Sequence, residues 1–150
     1  MDITDKKILE ILAKDTNTTA TEISSSVNLS VPAVNKRIQK LQKDDVIRSF
    51  TITTNGRKVN KSIIAFVLLV LKYGDGMDEL LEYIENDKDV LECYEITGEY
   101  DYIIKICAGD VEELDKKLLH LKKHKGVARS HTMFGLAEHK FRPTILPDMD

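Results

Sequence analysis

Apolar residues recur at helical spacing along the first 43 or so positions, then in short alternating or continuous runs, so a helical head and a mixed body are expected. Ile8, Ile11 and Leu12 share one face of a first helix that Asp2 can cap and that runs to about Lys14. Thr19-Ala20-Thr21-Glu22 matches a capping box, in which hydroxyl and carboxylate each satisfy a free backbone N–H. It opens a short second helix with Ile23 and Val27 inward, ending at Asn28, a residue that tolerates left-handed backbone. Ser30 is a suitable N-cap for a third helix from Val31 to about Lys43, with Pro32 in its first turn, where a missing N–H costs nothing. After Ile47 the period falls to two through Arg48–Thr54 and stops at Asn55-Gly56, which predicts one strand leaving the head.

Two similar units follow. Ser62–Tyr73 is expected as a strand, Met77–Asn86 as a helix and Val90–Thr97 as a strand; Tyr102–Ala108, Val111 to about Lys123 and Val127–Leu136 repeat that order. Met77, Leu80, Leu81 and Ile84 stripe one helix, and Val111, Leu114, Leu118 and Leu121 the other; Asp75-Gly76 and Gly109-Asp110 start them and Gly126 follows the second. The fold class is therefore α+β: a winged-type helix-turn-helix domain (1–48), a strand and hinge linker (49–61), and a ferredoxin-like βαββαβ domain (62–150) with both helices on one sheet face. Ile63–Leu71 is apolar at every position, so the helix-free face also wants burial. A second copy is the economical cover, which predicts an obligate homodimer.

Charge sharpens this picture. The net charge is −3, but residues 1–61 hold 11 basic against 7 acidic residues, and 62–150 hold 11 against 18. A basic head on an acidic body approaches a polyanion in one orientation. At 100° per residue, Val34, Ile38 and Leu41 form the core stripe of the third helix, while Pro32, Ala33, Asn35, Lys36, Gln39, Lys40 and Lys43 face away and Arg37 flanks them. That outer face has no acid and a small first turn, as a helix entering the major groove of double-stranded DNA requires. Ser30, Pro32, Ala33, Asn35, Lys36, Arg37, Gln39 and Lys40 are the DNA-contact candidates.

The nine-residue apolar run is too short to span a bilayer, and the N-terminus lacks a signal-peptide pattern. Cys93 and Cys107 lack CxxC spacing and read as buried, reduced thiols of a cytoplasmic protein, with a disulfide as the alternative. His120 and His124 stand at i, i+4, but Lys122, Lys123 and Lys125 surround them and no acidic third ligand is near, so no metal site is expected. With no phosphate loop or nucleophile elbow, the chain does not read as an enzyme. Gly98-Glu99-Tyr100-Asp101 joins two strands and reads either as a plain hairpin or as a small-molecule site. In the second reading N–H groups near Gly98 hold a carboxylate, Asp101 receives an ammonium and Tyr100 walls the site.

Several of these pieces together resemble the leucine-responsive/asparagine-synthesis regulator (Lrp/AsnC) family: Asp2…Asp5…Ile8-Leu9, Asn28-Leu29-Ser30 before Val34…Arg37-Ile38…Leu41, then Val46-Ile47, and Gly98-Glu99-Tyr100-Asp101. The resemblance implies a prokaryotic transcription regulator, dimeric or assembled to a tetramer or octamer. It implies an amino-acid effector bound between dimers near Gly98–Asp101, no cofactor, and pairing of the linker strand with its partner-subunit counterpart. A family-like Val127…Arg129…Thr132 pattern adds Thr132 to the ligand candidates. Asp45 and Asn28 stand where the family usually has glycine; both residues tolerate a turn. An AsnC-like subunit of a siroheme decarboxylase shares this two-part architecture and is the enzymatic alternative, though that family's histidine-containing motif is not evident at Gly98–Tyr102.

Overall fold

The structure, a computed structural model, describes residues 1–72, 74 and 76–149. Two compact units are present: Met1–Thr53 with Lys140–Asp150, and Thr54–His139.

In the first unit, α1 (Ile3–Lys14), α2 (Ala20–Val27) and α3 (Val31–Lys43) begin at the expected caps. Asp2 accepts from the Asp5 N–H while Asp5 accepts from the Asp2 N–H, Thr19 and Glu22 make the same reciprocal pair, and the Ser30 hydroxyl accepts from Ala33. The tight corner between α2 and α3 needs left-handed backbone, and Asn28 adopts it at φ 53°. Asp45 (φ 55°) makes the matching turn after α3, and the N–H groups of Val46 and Ile47 both reach Leu41 O. Ile8, Leu12, Ile23, Val34 and Leu41 form the core, ringed by Leu9, Ile11, Val27, Leu29, Ile38 and Ile47. The strand expected at Arg48–Thr54 pairs with no strand of this chain among the described residues. Its alternation and β-branched residues suit a ladder, but a ladder also needs a neighbouring edge.

In the second unit, a 3-10 turn (Gly56–Val59) leads to β1 (Ile63–Leu71), α4 (Met77–Asn86), β2 (Val90–Glu95), β3 (Tyr102–Ala108), α5 (Val111–Lys123) and β4 (Val127–Phe134). The sheet order is β2-β3-β1-β4 with every neighbour antiparallel, the ferredoxin-like arrangement. β3 has the expected bounds, β1 starts one residue late, and β2 and β4 end two residues short; the expected strand end at Tyr73 and the helix start at Asp75 lie outside the described residues. Ala65, Val67 and Leu69 of β1 and Ile104, Ile106 and Ala108 of β3 pack with Leu80, Ile84, Leu114 and Leu121. Both helices thus cover one face of the sheet. Two striped residues leave the core: Leu81, 100° round the helix from Leu80, and Val111, at the first position of α5, are exposed.

Gly76 and Gly126 bring the start of α4 against the start of β4. A Cβ on Gly126 meets Gly76 O at 3.0 Å, and one on Gly76 meets Gly126 N at 2.9 Å, so this approach admits glycine alone.

Candidate functional site

The outer surface of α3 is the first candidate. Burying Val34 and Leu41 on one side turns Pro32, Asn35, Lys36, Gln39 and Lys40 to solvent, with Ser30 exposed at the cap and Ala33 half-buried. Arg37 departs from its expected role. Its guanidinium donates to Asp2 Oδ2 and Asp5 Oδ1, both at 2.7 Å, and ties α3 to the first turn of α1. These hydrogen bonds raise the Arg37 pKa; the Asp2 carboxyl is held below the usual range by the Asp5 N–H and then by Arg37. The sequence marked Asp2 and Asp5 as helix-start residues only; which cation they meet depends on how α3 crosses α1. Lys40 pairs with Asp44 one turn on, which raises its pKa, while Lys36 makes no ion pair among the described residues.

The second candidate is a cavity of about 390 Å³ in the second unit, lined by Val70, Leu71, Lys72, Gly74, Met77, Glu95, Asp101 and Tyr102. Asp101 anchors it: Oδ2 accepts from the Leu71 N–H at 2.7 Å and its own N–H donates to Leu69 O at 2.8 Å. Burial, then the Glu95, Cys93 and Asp101 charges, push the Tyr102 hydroxyl pKa up. A broader cleft at Thr16, Asn17, Phe50, Thr51 and Ile52 has no charged lining residue.

Of the expected ligand residues, only Asp101 lines the cavity. Gly98 (φ 121°) and Glu99 are exposed in the turn that joins β2 to β3. The Tyr100 ring lies under the Arg129 guanidinium at 5.4 Å and beside His131 at 6.3 Å. Thr132 pairs with Val67 and shares its core-side face, whereas Arg129 and His131 pair with Val70 and Leu68 on the other. Lys72, Met77 and Glu95 were missed because they come from three separate elements and carry no local motif.

An ionic cluster holds the hinge to the body. Lys61 pairs with Glu113 and with Asp89 (3.0 Å), and Lys117 pairs with Asp89 (2.9 Å) and Asp87 (3.1 Å). Burial pushes the Asp87 and Asp89 carboxyls upward, but hydrogen bonds more than offset this, led by the Asp89 N–H at Asp87 and by Lys117 at Asp89. Both carboxyls are held below their ordinary value.

Two family models match. The winged helix-turn-helix DNA-binding model covers residues 1–48, and the Lrp/AsnC ligand binding domain covers 64–145. The HTH-type transcriptional regulator FL11 of Pyrococcus furiosus is 37% identical over 150 residues, covering 98% of this chain and 96% of that protein. This chain belongs to the Lrp/AsnC family. The crystal structure of a Neisseria meningitidis transcriptional regulator in complex with L-Met superposes on this Lrp/AsnC chain with a TM-score of 0.92, at 26% identity, over 97% of this chain and 96% of that one. Escherichia coli AsnC, at 23% identity and a TM-score of 0.88 over 98% of this chain and 99% of that one, shares the fold.

 Within the Lrp/AsnC frame the protein is a ligand-modulated, DNA-binding transcription regulator. FL11 and the Neisseria meningitidis protein are transcriptional regulators by name, and the decarboxylase alternative finds no support in them. No helix among the described residues is long and apolar enough to cross a membrane.

Proposed function

We propose that this regulator binds double-stranded DNA as a homodimer, with α3 of each subunit in the major groove and an amino acid in the body cavity setting its affinity. The observation that carries this reading is the acid-free outer surface of α3, presented by a helix whose opposite side is core. Asn35 and Gln39 offer amides for base edges, Lys36 and Lys40 offer charge for phosphates, and Ser30, Pro32 and Ala33 keep the first turn small. Arg37 acts as a positioning residue that sets the angle of α3 against α1.

Dimerisation is supported by the sheet face that no helix covers. Ile64, Phe66, Leu68 and Val70 alternate along it, with Ile103 and Met133 alongside in register. Phe50 and Ile52, exposed at 47% and 82%, suit a linker strand paired with its counterpart. Residues 1–48 would then read DNA, 49–61 connect, and 62–150 pair and sense, in the cytoplasm and without catalysis.

The test is selection of genomic fragments followed by footprinting, with sedimentation of the same preparation. Protection by a dimer, abolished by Lys36→Glu with Lys40→Glu, is expected. Unchanged protection by that double variant, or a stable monomer at micromolar concentration, would overturn the reading.

A further inference from the structure

The cavity beside Asp101 carries a charge imbalance that bears on which effector it takes. Among the described residues that line it, Glu95 and Asp101 are acidic and Lys72 is basic, which leaves one negative charge. Glu95 and Lys72 are exposed, and their side chains make no hydrogen bond or ion pair among the described residues. Asp101 commits one oxygen to Leu71 and leaves the other open. The remaining lining is apolar: Val70, Leu71 and Met77, with the Tyr102 ring.

We infer that the effector is an amino acid with a cationic side chain. This rests on the proposal above that the cavity is the effector site. Lys72 takes the α-carboxylate, Asp101 the α-ammonium, and Glu95 the side-chain ammonium or guanidinium, while the methylene stem lies on Met77 and the end of β1. A neutral zwitterion leaves one carboxylate of the site without a counter-charge within a few ångströms. An acidic amino acid adds a second uncompensated charge. Burial first, and then the charges of Glu95, Cys93 and Asp101, raise the pKa of the Tyr102 hydroxyl, in keeping with that negative balance. At about 390 Å³ the cavity lies within the usual size of small-molecule sites.

Calorimetry on the full chain tests this with L-lysine, L-arginine, L-leucine, L-methionine, L-glutamate and 1,5-diaminopentane. Lysine or arginine is expected to bind at least about tenfold tighter than leucine or methionine, the scale of one charge-assisted hydrogen bond. Glu95→Gln removes that preference and leaves leucine unchanged, whereas Lys72→Met weakens all the amino acids alike. Tightest binding of leucine, methionine or glutamate overturns the inference and leaves the effector reading standing. So does a diamine that binds as well as lysine, because the carboxylate then contributes nothing. If no amino acid binds at millimolar concentration, the effector reading itself falls and the inference with it.

Discussion

The Arg37 guanidinium lies 2.7 Å from the Asp5 carboxylate, so the one arginine of α3 faces a neighbouring helix and is held there. Arg37→Met should therefore lower the thermal midpoint and weaken every DNA sequence similarly, with the log–log salt slope unchanged. Lys36→Ala should instead reduce that slope by about 0.9, the value for one phosphate contact. A slope reduced equally by both variants would place Arg37 on phosphate.

Asn28 holds a left-handed conformation at φ 53°. Asn28→Ala should cost up to about 1 kcal/mol of stability, because alanine lacks the short polar side chain that makes left-handed backbone tolerable for asparagine, while Asn28→Gly, which removes the Cβ, should be neutral or stabilising. Urea unfolding followed by circular dichroism separates the two, and equal midpoints would refute the strain.

Gly126→Ala places a methyl group 3.0 Å from Gly76 O, where only backbone can move. A loss of about 1–3 kcal/mol is expected, typical of overpacking. Ala128→Gly, on the exposed part of β4, serves as a control and should cost less than about 1 kcal/mol. The prediction fails if Gly126→Ala unfolds at the wild-type midpoint.

The body should lose stability in acid. Asp87 and Asp89 are held below their ordinary values when folded, so their contribution is present above the unfolded carboxylate pKa of about 4 and is lost as pH falls through the lowered folded values. Urea midpoints at pH 7 and pH 3 measure this, and Lys117→Met should flatten the difference. An unchanged pH dependence in that variant would remove Lys117 from the cause.

Caps and periodicity are local, and they were legible. Asp2, Thr19-Glu22, Asn28 and Ser30 each act on backbone within a few residues, so their types alone place the three head helices. The order of strands and helices in the body was legible for the same reason. The cavity was not: Lys72, Met77 and Glu95 meet only because β1 and β2 both flank β3. Leu81 and Val111 were misplaced because periodicity reports a stripe without its width.

The chain alone determined which segments become helix or strand and which helix face stays free of acid, since both follow from neighbours a few positions apart. Tertiary structure decided the partners of charged groups: Arg37 with Asp2 and Asp5, Lys61 with Asp89 and Glu113, and Asp101 with the Leu71 N–H. Those pairs span about 30 to 50 positions, and a charge acts on whatever folding brings within a few ångströms, whatever its distance along the chain.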